Sequence, residues 1–388
     1  MKNSNSFIKC CFITAKEALT NLVCMSFFVV SVLFYSFYYP WPYSAQIPEN
    51  IKTVVLDLDQ SSISRRLVQE LQASPELHLI AVLDELAPAK NILNQEKAKA
   101  LITIPKNFAS DFLTNRPTSI SLVANGSFIV ISRTTMKGAQ GPVQTAIQNA
   151  LTKEMVDGGI PLSEVVQASK APPPLTVQYM YNTIAGYQNF IVPIVFTIIF
   201  QTAFIAGIGL LIHDWFIRKK APLPLLEAIR GIKGYLALLL TFTLLIFTWI
   251  VFLEGISFWW HEIRSFQNIF ATLLTSVIYA FSIATLGICI AFFMGKTPLV
   301  VQLSVLSSIG AIFLTGNIFP WENMPTWAHA LAYCLPSTPA TSALLQSSQV
   351  GAPISAITPY LIHLVLLSTF FLCLGLWQAS RYQIQYRK

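Results

Sequence analysis

Six predominantly apolar stretches are each long enough to cross a membrane as a helix: Ala18–Tyr39, Tyr187–Ile212, Tyr235–Leu253, Ile269–Phe293, Leu299–Ile318 and Tyr360–Trp377. A hydrocarbon core about 30 Å thick needs about 20 helical residues at 1.5 Å each. None of the six contains Lys, Arg, Asp or Glu, and Glu254 sits just past the third. Pro193 and Gln201 interrupt the second, which a helix bundle accommodates by re-satisfying the freed backbone groups. The last run is short, and a start nearer Ile354 lengthens it.

Between the first two runs the pattern changes to short alternating elements. Ile51–Asp57 (IKTVVLD) reads as a buried strand, and Ser61–Ala73 as a helix capped by Ser61 and Ser62. Leu77–Leu83, Ala100–Ile104 and Ser119–Ala124 read as further strands, with helices at Glu85–Gln95 and Asn107–Thr114 between them. Strands alternating with helices predict an α/β domain with a largely parallel sheet. A longer helix, Ile129–Val156, follows and ends at Gly158-Gly159. Ala171–Pro174 (APPP) is then a stiff spacer and Leu175–Met180 an extended return to the next run. The predicted fold class is a polytopic α-helical membrane protein with six transmembrane helices and an extracytoplasmic α/β domain inserted between helices 1 and 2. Residues 1–40 hold the N-terminus and helix 1, residues 41–186 the domain, and residues 187–388 a five-helix bundle.

Composition and charge agree with that pattern. Hydrophobic residues make up 54% of the 388 and charged residues 11%, against about 25% charged in soluble domains. The net charge of +7 comes from basic residues that flank the apolar runs, which excludes a nucleic-acid binder and a freely soluble enzyme. Lys2, Lys9, Lys16, Arg218, Lys219, Lys220, Arg230, Lys233, Lys296, Arg381, Arg387 and Lys388 fall at one set of ends. The opposite short loops hold Arg264 alone. Positive residues stay on the cytoplasmic side, so both termini are expected there and the domain on the other side. The first run is too long for a cleaved signal peptide, and Pro42-Tyr43-Ser44-Ala45 is a poor cleavage site. No CxxC or Cys/His spacing among the six cysteines suggests zinc.

Several motifs invite chemistry. Asp57-Leu58-Asp59-Gln60-Ser61 looks like an aspartyl-phosphate loop, but no downstream acid pair stands in the right context, so it reads as a strand end and helix start. Gly295-Lys296-Thr297 lacks the earlier glycine of a phosphate loop, Ile290 standing in its place, and reads as a helix C-terminus. His213-Asp214 is a candidate proton relay at the end of the second run, against an ordinary interfacial pair. Glu254, His261 and Glu262 around Trp259-Trp260 read as an acidic, aromatic outer loop. The basic loop Asp214–Gly234 contains Leu225-Leu226-Glu227-Ala228-Ile229-Arg230, a short amphipathic helix. Leu225, Leu226 and Ile229 are expected to fill a partner's groove, with Arg218, Lys219 and Lys220 at the lipid surface.

The order of elements, one span, a domain opening with VVLDLDQSSISRRLVQELQASPEL, then five spans, resembles the permease subunits of type 2 ABC exporters. The bacterial subgroup with a large periplasmic domain is the nearest in pattern, and Lys99–Leu113 (KALITIPKNFASDFL) is similar to its third strand, Ile-Pro step and helix. Residues 319–353, with Trp321, Pro325, Trp327, Pro336 and Pro339, resemble its outward-facing broken hairpin. The resemblance implies a multi-pass protein of the bacterial inner membrane that exports a hydrophobic or amphipathic substrate. It implies an ABC ATPase subunit that binds the ATP, a second permease copy or a paralogue, and a membrane-fusion adaptor. It also implies that residues 214–234 couple to the ATPase, with Arg218, Leu225, Leu226, Glu227, Ile229 and Arg230 as candidate contacts. No catalytic residue, metal or cofactor belongs to the permease itself. The alternative is a membrane-anchored receptor or adhesion protein whose external domain binds a ligand.

Overall fold

The computed structural model describes residues 2–386 except 96, 115, 125–128, 158–181, 183–185, 219, 296–298 and 320. The spacer at Ala171–Pro174, the return at Leu175–Met180 and the helix stop at Gly158-Gly159 lie outside the described residues. The chain divides into two compact units, Met1–Ser44 with Gln188–Lys388, and Ala45–Tyr187.

The first unit begins with a helix that the hydrophobic runs do not announce, α1 (Lys2–Thr20). It stops at Asn21, whose Oδ1 accepts the backbone N–H groups of Val23 and Cys24 at 3.1 and 3.3 Å. That side-chain cap starts the chain afresh as α2 (Leu22–Met25), which continues through a π-helical turn, Ser26–Val30, into α3 (Ser31–Tyr38).

The second unit holds β1 (Ile51–Asp57), α4 (Ser62–Gln72), β2 (Leu77–Leu83), α5 (Leu86–Asn94), β3 (Ala100–Ile104), α6 (Phe108–Leu113), β4 (Ser121–Ala124) and α7 (Ile129–Asp157). The strand order is β2-β1-β3-β4. β1 pairs in parallel with β2 and with β3, and β4 closes the edge antiparallel to β3. Successive strand residues face opposite sides, so β1 supplies both cores. Val55 packs with Leu67, Leu71, Ile102, Ile104 and Phe108, while Val54 and Leu56 pack with Ala89, Ala98 and Leu101. Ser61 alone caps α4, its Oγ accepting the Ser64 N–H at 3.0 Å.

The first unit resumes with α8 (Tyr187–Ile217), α9 (Leu223–Arg230) and α10 (Ile232–Phe252), which runs through a π-helical turn, Leu253–Ser257, into α11 (Phe258–Trp260). Then come α12 (Ile269–Met294), α13 (Val300–Leu314), α14 (Thr326–Tyr333), α15 (Ser337–Leu344) with a π-helical extension at Leu345–Val350, and α16 (Ile354–Tyr386). Among the described residues five segments are long and apolar enough to cross a membrane: Leu22–Tyr43, Tyr187–Ile217, Ile232–Trp260, Ile269–Met294 and Ile354–Tyr382. The fifth predicted run, Leu299–Ile318, departs from expectation. Its helix α13 has 15 residues, about 22 Å of rise, and ends before Gly316, whose φ of 76° is a left-handed helix stop.

α12 and α16 run in the same direction. At their starts Asn268 Nδ2 donates to the Ala352 carbonyl at 2.9 Å, and at their far ends the Phe292 and Tyr382 rings are 6.3 Å apart. The chain therefore leaves α12 at one end of the bundle and enters α16 at the other, with α13 on the return path. α15 reaches the middle of α8, where Gln201 Oε1 accepts the Ser337 N–H at 2.8 Å and Thr197 and Thr341 share a hydrogen bond of 2.5 Å. Tyr279 of α12 donates to the Thr197 carbonyl at the same junction. Gln201, which interrupts the second run, is thus partnered by the start of α15.

Candidate coupling surface

α9 forms because Pro222 and Pro224 pre-set its first turn, and Leu225, Ala228 and Ile229 recur on one side of it. That side faces inward. Leu225 is fully buried and Ile229 is 4% exposed, because α9 packs against α1, α10 and α16. The close approach to α10 is set at Gly234. A Cβ there would stand 2.5 Å from the Ala228 nitrogen and nearer still to the Glu227 carbonyl, so no larger residue fits without moving α9.

The expectation that Leu225 and Ile229 fill a partner's groove is therefore corrected: the bundle itself fills that side. The accessible side carries Leu223, Leu226 and Glu227, half-buried, and Arg230, exposed, at the i, i+3, i+4 and i+7 spacing of one helical face. Arg230 Nη1 pairs with Glu227 Oε1 at 3.3 Å. The exposed Ile232 and Lys233 continue the surface beyond Gly231.

Arg218 is also not where expected. It leaves the lipid surface to bridge two helices, with Nη1 2.9 Å from Glu17 Oε2 and Nη2 2.5 Å from Asp214 Oδ2. Burial works against the guanidinium's charge, but the two carboxylates outweigh it and raise its pKa. Trp215 Nε1 donates to Glu17 Oε2 at 2.5 Å, and Asn21 Nδ2 reaches Asp214 Oδ2 at 3.5 Å. These bonds fasten the end of α1 to the end of α8. Lys219 lies outside the described residues and Lys220 is exposed. His213 Nδ1 lies 3.4 Å from the Gly295 carbonyl, so both members of the His213-Asp214 pair have structural partners. Glu17 was missed in the sequence, where the signal was an acid with no other before Glu49.

At the opposite end Glu254 departs from the outer-loop reading. It is buried in the π-helical turn Leu253–Ser257, and Ser348 Oγ donates to its Oε2 at 2.5 Å. Trp259 and Trp260 are exposed. His261 Nε2 donates to the Ser36 carbonyl at 3.2 Å, and burial lowers its pKa while that bond opposes the shift. In the second unit Asp57 Oδ1 accepts the N–H groups of Asp59 and Gln60, and its Oδ2 accepts Ser64 Oγ at 2.8 Å. The strand-end carboxylate holds a turn. Among the described residues no group of three or more His, Cys, Asp or Glu is placed to hold a metal ion.

Long apolar helices make up most of the first unit, and a short, half-accessible helix lies between two of them at the Arg218 end. The family profile of the ABC-2 family transporter protein matches residues 22–377. The chain belongs to the ABC-2 transporter family. As an ABC-2 permease it is a multi-pass membrane protein and the transmembrane component of an ABC transporter. ABC-2 permeases have no nucleotide-binding domain of their own, so their ATPase is a partner chain. Neither a curated protein nor a solved structure matches the chain.

Proposed function

We propose that this ABC-2 permease exports a hydrophobic or amphipathic substrate across the bacterial inner membrane, as one of two permease subunits, copies or paralogues, above a pair of ATPase chains. Its α/β unit lies outside the cytoplasm and docks a membrane-fusion adaptor. The observation that carries the reading is α9, a short helix between two spans with one side locked in the bundle and the other accessible. Leu223, Leu226, Glu227 and Arg230 then form the ATPase contact, in place of Leu225 and Ile229. Both termini are cytoplasmic, as the basic residues at the Arg218 end favour. The parallel course of α12 and α16 supports a sixth passage through α13, whose short helix is completed by the residues after it. Single cysteines at Arg116 and Gln383, in a background lacking the native ones, test the orientation. An impermeant thiol reagent should label intact cells at residue 116 and not at 383; labelling at 383 overturns the topology. Co-purification with the ATPase tests the contact, and Leu226→Asp with Arg230→Glu should abolish it while the permease still inserts.

A further inference from the structure

At the Glu254 end of the bundle, a cavity of about 790 Å³ lies between the end of α13, the segment around α14 and α15, and the first turns of α16. We propose that it binds an amphiphile with an ammonium head group, admitted sideways from the membrane. Its volume falls within the range of about 300–1,000 Å³ typical of small-molecule sites.

The one acid or base of fixed charge in the described lining is negative, and hydrogen-bond acceptors stand beside it. Glu322 lines the cavity, and among the described residues its carboxylate has neither an ion pair nor a hydrogen bond. Among the described residues no Lys or Arg lines it. Asn317 spends its Nδ2 on the Thr315 carbonyl at 3.0 Å, and Gln346 its Nε2 on the Tyr360 hydroxyl at 3.2 Å. Each amide keeps its oxygen as an acceptor. His363 Nε2 donates to the Tyr333 carbonyl at 2.9 Å, which leaves Nδ1 with a lone pair. An anionic head group would meet Glu322 with no cation to compensate, whereas an ammonium group donates to these acceptors.

The way in is apolar. Ile362 and Leu366 line the cavity and are 55% and 64% exposed, and Phe370 one turn further is 61% exposed. Spaced four residues apart on α16, they form a track along which an alkyl tail can lie. The opposite wall is rigid. The Trp321 ring stacks on His329 at 4.6 Å and 7°. A Cβ on Gly316 would come within 3.0 Å of that indole, so the left-handed glycine admits the ring.

The ammonium group can belong to a single-chain cationic amphiphile or to a bilayer aminolipid. The permease in nanodiscs, without ATP, is photolabelled with three diazirine probes: an alkyltrimethylammonium, the same chain ending in sulfonate, and a phosphatidylethanolamine. Labelled peptides are then mapped. The ammonium probe should label residues 315–322, 338–346 or 359–366 about tenfold more than the sulfonate. Glu322→Gln should remove that preference, and Leu345→Trp should cut labelling by filling the space. Competition by the phosphatidylethanolamine identifies an aminolipid; its failure to compete identifies the single-chain cation. Equal labelling by the sulfonate, or labelling of the ammonium probe unchanged in Glu322→Gln, overturns the site. Binding is read without transport, so the outcome stands apart from that of the export reading.

Discussion

Removing the Glu17 carboxylate would leave the fully buried Trp215 with an indole N–H that has lost its acceptor. An unsatisfied buried donor costs about 1–3 kcal/mol, so Glu17→Ala should lower the thermal unfolding temperature of the purified permease measurably. Glu17→Gln keeps the acceptor and loses only the charge pair with the half-exposed Arg218, so its effect should be smaller. His261 supplies a pH dependence. Its pKa in the folded chain lies below the ordinary value of 6.5, so the unfolded state takes up the proton first. The stability it contributes is complete above that value and is lost as pH falls toward the folded-state pKa. A stability profile measured from pH 7.5 to 5 should therefore decline, and His261→Gln, which still donates to Ser36, should flatten the decline. At this scale the sequence was legible where a partner is local. Asp57 and Ser61 bond to groups within seven residues, and their capping role was readable. Glu17 meets Trp215 and Arg218 from the far side of the inserted unit, and Glu254 meets Ser348 94 residues away. Nothing in the order of residues brings those pairs together.

Elements were legible where a periodic pattern meets one environment. β1 and β3 occupy the ranges that their apolar runs mark out, because a strand buried on both faces is apolar throughout; β2 also fills its predicted range, although as an edge strand it exposes every second residue. α9 was legible as a helix, but its orientation was not. An amphipathic pattern says that one side is covered, not what covers it, and here the cover is α1, α10 and α16. Leu225→Ala should thus act on the fold: truncating a buried leucine costs about 2–5 kcal/mol, which should be seen as reduced expression and a lower unfolding temperature. Leu226→Ala should leave both nearly unchanged and weaken ATPase co-purification. The pattern also concealed α1, since the stretch before Asn21 is too polar to register as a membrane run. The π-helical turns have no hydrophobic signature of their own.

For the whole molecule, the alternation of long apolar runs with basic loops was enough to indicate a polytopic membrane protein, and the family match agrees. The exact passage of the chain was less legible, because α13 is apolar over a range longer than its helix. A cysteine at Ser307, an exposed residue of α13, should be shielded from water-soluble thiol reagents on both sides of the membrane if that segment crosses it. Gly234 bears on how such a molecule can be driven. With no space for a side chain between α9 and α10, and Leu225 and Ile229 sunk in the bundle, α9 has no slack relative to the helices it touches. A push delivered to it cannot be absorbed as a local wobble. It must be passed on as a displacement of α10 and its neighbours together, so in the proposed coupling role α9 would work as a crank fixed to its shaft, not as a tether. Gly234→Ala, by prising the two apart, should leave ATP hydrolysis running while transport slips.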